Sequence, residues 1–217
     1  MTFSEQLWDS AADVYDAIRA HPFLTGLTDG TLPHEAFGHF VVQDGLYLRG
    51  YARALAVLAA RAPTEHDTTM FAQHAAGAIT AEQEMHAELS GSLAIDREDA
   101  AAAPTTLAYT SYLLATVHGG SFAEGLGAVL PCYWIYARVG EALLAESSPD
   151  PLYARWIAMY GGEEFQAVVD AAVGVIDRVA DDLGPAERAR VVGHYRATSR
   201  YEWMFWDAAW RRERWPV

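Results

Sequence analysis

The chain has 217 residues, 52% hydrophobic and 20% charged, with 15 basic against 29 acidic side chains for a formal net charge of −14. That is enough chain for one large domain with a substantial core, and it is too apolar for a disordered one. The negative field repels nucleic acid and anionic membranes and suits a neutral or cationic ligand. Every basic residue is an arginine, so lysine Schiff-base chemistry is excluded.

The opening Met-Thr-Phe-Ser-Glu-Gln-Leu-Trp has neither a basic stretch nor an apolar one. No run reaches about 18 uninterrupted apolar residues, the length a membrane span needs. With a single cysteine as well, a cytoplasmic protein is expected. No linker, repeat or low-complexity tract divides the chain, so a single domain over residues 1–217 is expected.

The first helix is expected at roughly residues 3–20, where Phe3, Leu7, Val14 and Ile18 keep an apolar stripe. His21-Pro22 ends it, because the residue before proline avoids the helical region. Thr25 to Pro33 reads as a loop. The second helix follows Pro33 and runs to about Arg61, and the third covers about 65–93. Ala100 to Pro104 form a link, and a helix of about 105–117 stops at Gly119-Gly120. The next, about 121–146, holds Pro131 inside it. Asp150 caps a short helix ending at Tyr160-Gly-Gly162, a further helix covers about 163–183, and Pro185 opens the last, to about 213. No segment sustains a period of two. The expected fold is all-α, a single-domain helical bundle with its site in the core between facing helices.

The lone cysteine lies in Val129-Leu-Pro-Cys-Tyr-Trp-Ile-Tyr-Ala-Arg138. It is either buried filling or a nucleophile. Tyr136 shares its helical face. Pro131 removes one helical hydrogen bond and is expected to open space beside the sulfur. Three other segments set acids or hydroxyls among aromatics. In Gln43-Asp-Gly-Leu-Tyr-Leu48, Asp44 and Tyr47 share a face, and Tyr51 follows one turn on. In Tyr201-Glu-Trp-Met-Phe-Trp206, Glu202 lies with Phe205 and Trp206, a setting that desolvates a carboxylate and raises its pKa. The third is Tyr109-Thr-Ser-Tyr112, with Tyr160 further on. Each has a plainer reading: Asp44 as an exposed acid on a polar face, Glu202 as a surface acid paired with Arg200 or Arg211, and the tyrosines as core residues with satisfied hydroxyls.

Ala81-Glu-Gln-Glu-Met-His-Ala-Glu88 is dense in ligand types, but Glu82 and His86 are four apart and no Glu-x-x-His occurs, as a carboxylate-bridged di-iron bundle would need. His34 and His39 miss zinc-protease spacing by one residue. A solvated face is the expected fate of Glu82, Glu84 and Glu88.

These pieces together resemble TenA, the thiaminase II family: His21-Pro-Phe, Leu27-Thr-Asp-Gly-Thr-Leu-Pro33, Phe40-x-x-Gln-Asp44-x-x-Tyr47-Leu, Cys132 with Tyr136, and Glu202-x-x-Phe205. They span nearly the whole chain in the family's order. The resemblance implies a heme-oxygenase-like bundle, assembly as a homotetramer, and no metal or other cofactor. It implies hydrolysis of the C–N bond at the 5-methylene of a 4-amino-2-methylpyrimidine, giving hydroxymethylpyrimidine for thiamine salvage. It assigns Cys132 as nucleophile, Glu202 as acid and base, and Asp44 as partner of the 4-amino and ring-nitrogen edge. Tyr47 is assigned to stack on the ring, Tyr112, Tyr136 and Tyr160 to complete the pocket, and Phe205 to wall it. Cys132 puts the chain in the family's cysteine-containing branch. Gly45 departs from the larger residue usual there and is expected to enlarge the pocket beside Asp44. Two alternatives are an iron-dependent oxidase of the same fold, using His21 or His39 with Glu82 and His86, and a non-catalytic pyrimidine-binding or regulatory protein.

Overall fold

The computed structural model of the chain describes the backbone of residues 1–93 and 100–217, with the side-chain surroundings of these residues apart from 81, 82 and 84–93. Among the described residues there is no strand. The helices are α1 (Phe3–Ser10), α2 (Ala12–Arg19), α3 (Pro22–Asp29), α4 (His34–Arg61), α5 (Glu65–Leu93), α6 (Pro104–Gly119), α7 (Phe122–Leu144), α8 (Pro151–Gly161), α9 (Glu163–Ala180) and α10 (Pro185–Arg211). No helix among the described residues is long and apolar enough to cross a membrane.

Starts and stops follow local chemistry. Thr2 with Glu5, and Ser121 with Glu124, form capping boxes at α1 and α7. Asp150 accepts from the Leu152 amide at the start of α8. Two expectations change. The single helix at 3–20 is broken at Ala11, whose φ of −125° and ψ of 14° leave the helical region. Each half then buries its own residues, Phe3 and Leu7 in α1, Val14 and Ile18 in α2. The expected loop from Thr25 is largely helix. Pro22 serves as a first helical residue, where its missing N–H is no loss. The His21 imidazole accepts from the Phe23 amide at 3.1 Å. Phe23, Leu24 and Leu27 bury the face so formed, and Gly30 closes α3 at φ 69°.

Helix α7 packs against α4, α6, α8, α9 and α10 and is the centre of the bundle. Pro131 does not end it. Close seams at two glycines place the neighbours. A Cβ at Gly50 would stand 2.6 Å from the Thr110 side chain, so α4 and α6 touch there. A Cβ at Gly140 would stand 2.4 Å from the Tyr160 carbonyl carbon, so the end of α8 lies on the α7 backbone one turn beyond Tyr136. Because that clash is with backbone, Gly140→Ala is expected to push α8 away at a cost of about 1–3 kcal/mol. The unfolding temperature should fall by about 2–4 °C per kcal/mol. Wild-type melting of the variant would show that α8 moves freely.

Candidate active site

The structure brings together side chains from five helices. Glu202 on α10 is 1% exposed. Its Oε1 accepts a 2.6 Å hydrogen bond from the Tyr109 hydroxyl of α6. Burial pushes its carboxyl up to about 8, the charge of Asp44 adds to that, and the Tyr109 bond pulls the other way. The carboxyl is desolvated by burial, and Tyr109 of α6 and Tyr136 of α7, on which its charge acts, are buried too. Asp44, on α4, is buried as well.

Cys132 sits on α7 between buried Pro131 and Tyr133 and is itself partly buried. Burial and the Glu202 charge push its thiol well up. The hydroxyls of Tyr47 and Tyr51 face the sulfur and favour the thiolate. The Tyr51 hydroxyl also donates to the Val129 carbonyl at 3.0 Å, within the proline turn.

Aromatic rings close the site. Tyr47 packs on Tyr51 at 5.6 Å, on Tyr109 at 4.8 Å and on Phe205 at 5.5 Å. Its hydroxyl is buried and faces the Cys132 sulfur and the Tyr109 hydroxyl. With its ring so covered, Tyr47 offers a hydroxyl end rather than a stacking face. Tyr160 is half-buried and meets Tyr136 at 5.0 Å. Asp44, Glu202 and Cys132 all act on both of these tyrosines. Behind them Trp206 stacks on Phe40 at 5.0 Å.

Seven of the eight expected site residues are thus gathered: Cys132, Glu202, Asp44, Tyr47, Tyr136, Tyr160 and Phe205. Tyr112 is not. Its hydroxyl meets His194 Nδ1 at 2.8 Å, and its ring lies on Tyr201 at 5.6 Å. Tyr201 in turn stacks on Tyr109 at 5.1 Å, so Tyr112 stands behind the tyrosine that enters the site. The missed residue, Tyr109, carries a signal in its spacing. Tyr109, Leu113 and Val117 lie four apart and form the buried stripe of α6.

Of the groups considered for iron, the side chains of His21 and His39 lie among the described residues. His21 caps α3 and faces Asp207 at 3.6 Å. The side chains of Glu82, Glu84, His86 and Glu88 lie outside the described residues. Among the described residues no three His, Cys, Asp or Glu side chains form a metal-binding group.

The site thus holds a thiol, a carboxyl raised by burial and a second buried carboxylate among aromatic side chains, inside a helical bundle. Residues 8–212 match the model of the TENA/THI-4/PQQC family, and the chain belongs to that family. It is 38% identical over 218 residues to an aminopyrimidine aminohydrolase of Bacillus subtilis (strain 168), covering 99% of this chain and 92% of that one. The solved structure of a TenA homologue from P. horikoshii OT3 fits with a TM-score of 0.89 at 30% identity, over 97% of this chain and 99% of that one. A domain with a heme oxygenase-like fold from Shewanella denitrificans OS217 fits with a TM-score of 0.73 at 16% identity, over 96% and 92%, and speaks to the fold alone.

Proposed function

We propose that the protein is an aminopyrimidine aminohydrolase. It takes a 4-amino-2-methylpyrimidine bearing a 5-methylene leaving group and water, and gives hydroxymethylpyrimidine and the free amine. The observation that carries this is Glu202: a buried carboxyl with a pKa of about 8, tied to Tyr109 and set against the only thiol of the chain. The similarity to the Bacillus subtilis aminopyrimidine aminohydrolase supports the same substrate class.

Ionised Glu202 takes the proton of Cys132, and the thiolate adds to the electron-poor pyrimidine ring. The protonated carboxyl then gives its proton to the departing amine. Water adds to the exocyclic methylene, with Glu202 taking its proton, and the thiolate leaves the ring. Asp44 binds the 4-amino and ring-nitrogen edge. Tyr136 and Tyr160 complete the pocket for the ring, and Tyr47 directs its hydroxyl at the reacting groups. A homotetramer in the cytoplasm belongs to this reading and is checked by light scattering and cell fractionation.

The test is release of ammonia from 4-amino-5-aminomethyl-2-methylpyrimidine, compared with release of the thiazole from thiamine. Turnover of the first is expected. Binding of hydroxymethylpyrimidine without release of any amine would favour the non-catalytic reading. Tyr109→Phe adds a second check. It removes the bond that pulls the Glu202 pKa down. The acidic limb of the pH–rate profile should move to higher pH by about one unit, the scale of one hydrogen bond to a charged group. A limb that stays in place would assign it to another group.

A further inference from the structure

The mechanism above leaves Tyr133 and His74 unused. Tyr133 follows Cys132 on α7 and is buried, while His74 is half-buried on α5. The Tyr133 hydroxyl meets His74 Nδ1 at 3.0 Å. The Tyr133 ring stands edge-on to Tyr51 at 5.7 Å, and the Tyr51 hydroxyl reaches that of Tyr133. Tyr51 also faces the Cys132 sulfur. We propose that His74 is a positioning residue for the nucleophile, acting on Cys132 through Tyr133 and Tyr51; this rests on Cys132 being the nucleophile.

The direction of the hydrogen bonds decides the effect. A tyrosine hydroxyl has one hydrogen to donate and two lone pairs. With a proton on Nδ1, His74 donates to the Tyr133 oxygen. Tyr133 then donates to the Tyr51 oxygen, and Tyr51 turns its hydrogen from the Val129 carbonyl to the sulfur. The thiolate gains a donor at the end of a chain aligned in one sense. With Nδ1 bare, Tyr133 donates to the imidazole, and Tyr51 stays on Val129. Burial lowers the imidazole pKa and favours the neutral ring, and the proposal requires its Nδ1–H tautomer as the donor. The thiol proton itself goes to Glu202, so the chain carries no net charge. Other ionisable groups facing the sulfur are Asp44 and Tyr47 of α4, Tyr109 of α6, Tyr136 of α7, Tyr160 of α8 and Glu202 of α10. Asp44 and Glu202 raise the thiol pKa and so oppose the thiolate, which is why an aligned donor matters here.

Because Cys132 is the only cysteine, its alkylation by iodoacetamide reports thiolate content without reference to turnover. The rate is measured from pH 7 to 9 on the full chain, with melting temperatures alongside. His74→Leu and Tyr133→Phe should each alkylate about tenfold more slowly below the thiol midpoint, as a loss of one pKa unit requires. His74→Asn puts an amide donor near the place of Nδ1 and should stay within about twofold of wild type. Wild-type rates in His74→Leu and Tyr133→Phe would overturn the proposal, as would an Asn variant as slow as the Leu one. Cys132→Ser assayed beside them separates the two readings. If it is inactive while alkylation of the other variants is unchanged, only the role of His74 fails; if it turns over, the nucleophile fails.

Discussion

Cys132→Ser is expected to keep the fold and ligand binding and to lose at least about 10³ in kcat, the scale set by removal of a nucleophile. The sulfur carries a large share of the barrier because its setting already disfavours the anion. Burial and the Glu202 charge raise the thiol, while the Tyr47 and Tyr51 hydroxyls act in favour of the anion. A serine hydroxyl starts from a much higher pKa and meets the same burial, so its alkoxide is out of reach at neutral pH. Binding should survive. The contacts expected to hold the pyrimidine come from Asp44 and the tyrosines. Affinity for hydroxymethylpyrimidine, read by calorimetry, should change no more than a few-fold. Turnover of the Ser variant within a few-fold of wild type would end the covalent mechanism.

Most of this site is legible in the chain because it rests on local pattern. Asp44 and Tyr47 share one face of α4, and Glu202 and Phe205 share one face of α10. Apolar neighbours at helical spacing are enough to foresee a desolvated carboxyl at Glu202. Failures fall where the answer lies across the bundle or in a short turn. Choosing Tyr112 over Tyr109 needed the full buried stripe of α6, and the pair of tyrosines alone does not supply it. The break at Ala11 leaves the apolar stripe on both sides intact, so periodicity passes over it. His21-Pro22 reads as an ending by its effect on the residue before proline, yet the same proline starts α3. The meeting of His74 and Tyr133, 59 positions apart, has no local signal at all. Nor does Gly140, whose need for glycine exists only because α8 comes to lie on it.

Glu202→Gln is expected to lower kcat by about 10²–10⁴, the usual range for a general acid–base group, while making the protein more stable. The amide keeps the shape and still accepts from Tyr109, but it cannot move a proton. Binding of hydroxymethylpyrimidine should change much less than turnover. The stability change has a definite sign and pH window. The folded carboxyl has a pKa of about 8 against an ordinary 4.5, so the folded state holds this proton more tightly than the unfolded chain does. Below 4.5 both states are protonated, and the group costs nothing. From 4.5 to about 8 the unfolded chain gains by ionising and the folded state does not, so wild-type stability falls as pH rises. Above about 8 the penalty is constant, on the order of 3–5 kcal/mol for such a shift. Glutamine does not ionise in either state and escapes this penalty. The unfolding midpoint of Glu202→Gln should therefore match wild type near pH 4 and exceed it increasingly up to about pH 8. A gap independent of pH would mean that Glu202 is not held in its neutral form by the fold. Activity within a few-fold of wild type would assign the proton to another group. The two readouts moving in opposite directions would mark a carboxyl that the fold holds at a cost in stability because the chemistry needs it there.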